Sequence, residues 1–387
     1  MSKQTRILAT VVATIMMVGA AFGAETEVTV SLSDLVTVQK YYRAIHIMAM
    51  LLVGFGFLMV FVRKYGRSAL TATYLLVSVA IPLYFLKDAR GIMGHSGCDI
   101  DRLILAEFAA AGLLICAGAV LGRLKLIQYI VLGLLFVPCY AMNEWILLDA
   151  GLSMIPKGAF VDTGGSIVIH TFGALFGTAA MLSLTSRKAF ETEIEADATS
   201  ERFSLLGSMV LWVFWPSFCA ALVAPEMLQQ TIVNVILALC GSTVATYVAS
   251  LILRKKVSVA DIANAALAGG VAIGSTCDKT NASGAFVIGI LAGVLSTFGF
   301  AVIQERLQKV LKKVDTCGVL YLHGLPGLLG GFAALFVVSG IDAGVQVKGI
   351  GITVALAALT GLVVGKLVSF VGTLPVPYQD DAELDVE

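Results

Sequence analysis

The sequence predicts an all-α polytopic membrane protein: eleven transmembrane helices arranged as two inverted five-helix repeats, with one extra helix at the C-terminal end. Three observations predict it. First, 58% of the 387 residues are hydrophobic and 13% are charged, against about 25% charged in soluble domains. Second, one stretch occurs twice. Asp162 to Gly177 reads DTGGSIVIHTFGALFG and Asp315 to Gly330 reads DTCGVLYLHGLPGLLG. Both copies open with Asp-Thr and carry Gly at the fourth position, His at the ninth and Gly at the sixteenth. Third, Lys and Arg segregate between alternate loops in the sense of the positive-inside rule.

Residues 1–24, MSKQTRILATVVATIMMVGAAFGA, place Lys3 and Arg6 before a short apolar run that ends in Ala21-Phe22-Gly23-Ala24. This is the pattern of a secretory signal peptide cleaved after Gly23 or Ala24; the alternative is an uncleaved anchor helix. The remainder, 25–387, is expected to be a single membrane domain. Its spans run about 43–62, 68–87, 102–121, 125–148, 163–186, 203–224, 228–253, 258–275, 284–304, 315–339 and 347–372.

With the mature N-terminus outside, the inside loops carry Arg63, Lys64, Arg67, Arg123, Lys125, Arg187, Lys188, Arg202, Arg254, Lys255, Lys256, Arg306, Lys309, Lys312 and Lys313. The outside loops carry Lys87, Arg90, Arg102, Lys157, Lys279 and Lys348. The bias sets the N-terminus out and the C-terminus in. Repeat A then covers about 43–186 and repeat B about 203–339, with the extra helix at about 347–372. The cytoplasmic tail 373–387 is short, acidic and proline-containing, and is expected to be loosely ordered.

Inversion of the repeats gives the duplicated stretch its meaning. The fifth span runs inward and the tenth outward, so Asp162 caps a helix at the outer face and Asp315 one at the inner face. On a helix, the eight residues from Asp to His rise about 12 Å, and half the hydrocarbon core is roughly 15 Å. His170 and His323 therefore approach the same depth from opposite sides. A lone intramembrane histidine is often a packing residue, but ionisable groups there mark pathways by default, and two at equivalent repeat positions favour a pathway. Charged imidazoles are costly at that depth, so a neutral pair is expected, offering one donor and one acceptor to a small polar molecule. The rival is a metal pair, for which no third ligand lies nearby in sequence.

Asp162 and Asp315 both suit helix N-caps. For Asp315 the cap is the expected role. Asp162 faces the outside, where its charge can also stabilise an arriving cation through backbone carbonyls. Phe108 and Phe218, near the outer ends of the third and sixth spans, are candidate gate rings with π-faces open to a cation; packing or lipid contact is the alternative. Glu144, at the outer end of the fourth span, either pairs locally or draws cations into a vestibule. Glu107 and Asp261 are expected to be satisfied by neighbours, and His46 and His95 to be packing residues. Zero net formal charge without a long basic run excludes nucleic acid as a partner. No GxxxxGK[ST] motif is present, so no ATP-driven step is expected. No cofactor, catalytic residue or metal is expected. The seven cysteines show no zinc spacing and read mostly as small buried hydrophobes, with a disulfide open between Cys98 and Cys277.

These residues resemble the ammonium transporter, methylammonium permease and Rhesus superfamily, and within it the bacterial Rhesus-type proteins. The resemblance rests on DTGGSIVIH with Asp162 and His170, HGLPGLLGG with His323, LAEF with Phe108, WPSF with Phe218, Asn143-Glu144 and NAALAGG, and covers nearly the whole mature chain. It implies a channel for ammonia in the bacterial plasma membrane, a homotrimer with one pore per subunit, Phe108 and Phe218 as a stacked outer gate, and His170 with His323 as a twin-histidine lining. It also implies that Asp162 is needed for conduction and that Glu144 recruits ammonium. No tryptophan lies between Trp145 and Asp162, which agrees with the Rhesus branch and argues against tight cation binding. The tail matches the regulatory tail of ammonium transporters poorly, which argues against a PII-type partner. The alternatives left open are a carbon dioxide channel, an ion-coupled ammonium transporter, and, from another class, a membrane sensor with a vestigial pore.

Overall fold

A computed structural model describes residues 31–387 except 95, 96, 373, 375 and 387. The expected signal peptide and His95 lie outside the described residues. Eleven helices are long and apolar enough to cross a membrane, and no described residue is in a strand. They are α1 (Leu32–Phe61), α2 (Gly66–Ala89), α3 (Asp99–Ala119), α4 (Leu126–Leu148), α5 (Ser166–Leu184), α6 (Ala198–Cys219), α7 (Pro225–Arg254), α8 (Val259–Thr276), α9 (Ala282–Leu311), α10 (Leu320–Val337) and α11 (Ala343–Ser369). The chain divides at Gln39/Lys40. The described part of the first unit is helical from Leu32; the second unit, Lys40–Glu387, holds the rest of the spans.

α1 starts well before the expected residue 43, because the polar stretch through Gln39, Lys40 and Arg43 is helical without being apolar. α5 and α10 start later than expected. Three residues separate Asp162 from α5 and four separate Asp315 from α10, and the third after each Asp, Gly165 (φ 76°) or Gly318 (φ 67°), is left-handed. The glycine shared by both copies is thus a backbone requirement. The glycine at the sixteenth position meets a second requirement, close approach. A Cβ on Gly177 would lie 2.6 Å from the Cys116 carbonyl oxygen, and one on Gly330 would lie 2.1 Å from that of Ala272. Small residues let helices pack backbone to backbone where lipid supplies no hydrophobic drive.

One expectation is corrected here and one open question is closed. The tail is docked. The Tyr378 amide donates to the Gly122 carbonyl (2.9 Å), and its hydroxyl accepts from Arg123 Nε (2.8 Å). Asp380 accepts from the amides of Arg67 (3.2 Å) and Ser68 (2.8 Å), at the start of α2. Glu383 accepts from the Leu126 amide (2.8 Å), at the start of α4. The acidic composition that read as disorder is a pair of helix caps, satisfying orphan amides and suiting the positive helix ends. The disulfide left open between Cys98 and Cys277 does not form. Both thiols are free; Cys277 is fully buried with its Sγ donating to the Gly274 carbonyl, while Cys98 is exposed beside Asp101.

Candidate functional site

The site grows out of the two Asp-Thr turns. Asp162 accepts from the amides of Ile167 (3.0 Å) and Val168 (2.7 Å) and from the Ser275 hydroxyl (2.6 Å). The end of α8 locks the same turn, with the Gly164 amide donating to the Gly274 carbonyl at 2.7 Å. Asp315 is held less fully: its Oδ2 accepts from the Leu320 amide at 3.0 Å, while Oδ1 is buried without a hydrogen-bond partner among the described residues. After each turn the chain enters a π-helical segment, Ser166–Thr171 or Leu320–Gly324, and each segment carries its histidine. The run from Asp to His is therefore a turn followed by a π-helical segment rather than one continuous α-helix. Widened turns of this kind are rare and concentrate at functional sites.

α5 and α10 cross with opposite directions. Gly324 lies beside Ala174, Gly327 beside Thr171 and Gly331 beside Ile167, so residue numbers rise along one helix as they fall along the other. The crossing brings the histidines together. Their rings lie 5.2 Å apart, 3° from parallel, with Nδ1 to Nδ1 at 3.1 Å. Each residue is 3% exposed. For two neutral rings, one Nδ1 must donate to the other. The donor ring then presents Nε2 as an acceptor, and its partner presents Nε2–H as a donor. The Nε2 of His170 has no hydrogen-bond partner among the described residues.

Aromatic rings cover the pair. Trp215 stacks on His170 at 5.6 Å and 17°, and Phe218 lies 6.1 Å from the same ring. Phe108 meets Phe218 at 4.7 Å. The two phenyl rings are tilted by 50° rather than stacked, the arrangement that their edge and face charges prefer. On the far side, Phe55 stacks on His323 at 6.2 Å. Phe55 and Trp215 were missed by sequence reasoning. Trp215 had a signal, since it adjoins the Pro216 and Phe218 already singled out; Phe55 had none.

Cavities flank this constriction. One of about 110 Å³ is lined by Phe108, Glu144, Asp162 and Ile169, with Tyr140 and Leu148. The other, about 20 Å³, is lined by His323 with Phe55, Leu114, Leu322 and Asn264. Glu144 is buried, and its carboxylate accepts from the hydroxyls of Tyr84 and Tyr140 (the latter at 3.2 Å). Asp315 lies apart from these residues, at the start of α10. His46 packs as expected, hydrogen-bonded to Ser217 (2.9 Å) and stacked on Phe214. Asp261 is satisfied by Ser250 and by two bonds from Arg254. Glu107 is not satisfied: it is fully buried in α3 and neither carboxylate oxygen has a hydrogen-bond partner among the described residues. No cluster able to hold a metal ion occurs among the described residues.

The family model described as Ammonium Transporter Family matches residues 6–387. The chain belongs to that family. Membership places it among membrane transporters rather than enzymes. It is similar to ammonium transporter Rh type B of Homo sapiens, 37% identical over 306 residues that make up 75% of this chain and 64% of that protein. It is also similar to ammonium transporter Rh type A of Bos taurus, 35% identical over 84% of this chain and 78% of that one. The chain thus spans less than two thirds of the length of the type B relative. Among solved structures it resembles Nitrosomonas europaea Rh50, described with the mechanism of conduction by the Rhesus protein family of channels, at 53% identity and a TM-score of 0.89, covering 91% of this chain and 93% of that one. Candida albicans Mep2, at 18% identity and a TM-score of 0.71 over 85% and 82% of the two chains, shares the fold.

Proposed function

We propose that this member of the family conducts ammonia through each chain, downhill, across the plasma membrane of a bacterium. Ammonium enters at the cavity of Asp162 and Glu144, loses its proton at the Phe108–Phe218 gate, and crosses as ammonia past His170 and His323. The observation that carries this reading is the 3.1 Å bond between the two buried imidazoles, closed over by aromatic rings. A bare cation at such depth costs about 2.5–3.5 kcal/mol on insertion scales. A small neutral molecule with one lone pair and several N–H bonds can instead use the acceptor and donor that the pair presents. Asp162 spends its carboxylate on the turn, so its charge acts on the cavity through the dipoles it orients. The positive-inside bias places that cavity outside and the His323 cavity inside.

Relatives named as ammonium transporters support ammonium as the substrate. A second reading, carbon dioxide, is favoured by the apolar walls around His323, where Leu114, Leu322 and Phe55 offer a quadrupolar gas no obstacle. The test is stopped-flow uptake of ammonia and of carbon dioxide by proteoliposomes in parallel, with membrane current recorded. Faster ammonia entry than in empty vesicles, without matching current, is the expected result. Equal entry with and without protein sinks the proposal, current in proportion to uptake replaces it by ion-coupled transport, and acceleration of carbon dioxide alone replaces the substrate.

A further inference from the structure

A second cleft, of about 310 Å³, opens between the end of α5, the loop that joins α3 to α4, and the C-terminal segment, and conduction makes no use of it. Arg123, Thr185, Ser186, Lys188 and Pro377 line it. Arg123 reads from sequence as one more loop cation, yet it is 5% exposed. Its Nε donates to the Tyr378 hydroxyl at 2.8 Å, which fixes the plane of the guanidinium. Nη1 and Nη2 are buried and without hydrogen-bond partners among the described residues. Four of the five N–H donors of the fork are thus unspent, and a buried charge left in that condition destabilises the fold.

The surroundings do not neutralise it. Lys188 lines the same cleft, and Lys313 donates through Nζ to the Thr185 carbonyl on its wall. Burial, and then the Arg123 charge, lower the Lys313 ammonium from its ordinary value. Asp315 is the acid felt by Arg123, but its Oδ2 is given to the Leu320 amide and no ion pair joins the two. A fixed guanidinium, the exposed Lys188 and Ser186 therefore line one cleft in which positive charge and donors are in excess. Guanidinium forks match the paired oxygens of an oxyanion.

We infer that this cleft binds a phosphate-type oxyanion, received by Nη1 and Nη2 of Arg123 with Lys188 at the rim. The same chemistry is offered by free inorganic phosphate and by the phosphate of an anionic lipid headgroup, and the test has an arm for each. In the first, the full-length protein in nanodiscs of uncharged phosphatidylcholine is dialysed against radiolabelled inorganic phosphate. In the second, intact-protein mass spectrometry compares retention of phosphatidylglycerol with that of phosphatidylcholine. One oxyanion per chain in either arm is expected, lost in Arg123→Gln and weakened on the order of ten-fold in Lys188→Gln. Lys188 is exposed, so its variant decides the matter if Arg123→Gln fails to fold. Binding in neither arm, or a Lys188→Gln protein indistinguishable from wild type, overturns the inference.

Discussion

In the proposed pore, the separation and orientation of His170 and His323 carry the chemistry. Removing one ring strips the other of its Nδ1 partner and opens space that water can fill. His170→Ala and His323→Ala should therefore keep much of the ammonia flux along the apolar walls but lose discrimination against the cation. Simultaneous recording of current and uptake should show a higher charge-to-substrate ratio in both variants; an unchanged ratio in well-folded protein would falsify the pore role of the pair. The two aspartates differ in what they hold. Asp162 satisfies two amides and a hydroxyl, whereas Asp315 is bonded at one oxygen only. Asp162→Ala should cost about 1–2 kcal/mol of stability and also slow uptake per folded molecule, while Asp315→Ala should lower the melting temperature less and leave uptake per folded molecule near wild type. Thermal melts and vesicle uptake on the same preparations check both halves.

At the scale of elements, the duplicated stretch was legible because the backbone demands it. Gly165 and Gly318 recur since both turns are left-handed there, and His170 and His323 recur since each follows its turn by the same five residues. The sequence did not reveal that those five residues include a π-helical turn, because a widened turn leaves hydrophobic periodicity almost unchanged. Reading each Asp as an ordinary N-cap placed the helix starts too early for the same reason. Phe55 was hidden because its stack on His323 depends on how α1 passes α10, which no local pattern encodes. The turn itself can be tested. Gly165→Ala puts a Cβ 2.3 Å from the Ile169 side chain at φ 76°, and should destabilise by about 1–3 kcal/mol. A melting temperature equal to wild type would mean that the loop relaxes without strain.

For the whole molecule, the apolar runs were enough to count eleven spans, since their length follows from the bilayer rather than from side-chain packing. Association was less legible. Each chain already contains both histidines, so a trimer with pores inside its subunits is expected, and mass measurement in mild detergent should give three chains per particle. A monomer that conducts at the wild-type rate would show that assembly is dispensable. The docked tail was not legible at all, because acidity and proline are shared by disordered ends and by helix caps. Truncation after Gly372 should remove the caps of α2 and α4 together with the Tyr378–Arg123 bond, costing about 2 kcal/mol, and Tyr378→Phe should cost a smaller share. Melts of the truncated and full-length chains in one detergent measure it.

The same tail sets an order of events during synthesis. Helices α2 and α4 enter the bilayer while most of the chain is still unmade, and their first amides face water until Asp380 and Glu383 emerge from the ribosome. Closure of that end of the molecule thus waits on the segment that carries Tyr378, Asp380 and Glu383. A chain cut after Gly372 keeps the residues of all eleven spans but leaves the end near α2 and α4 unsealed.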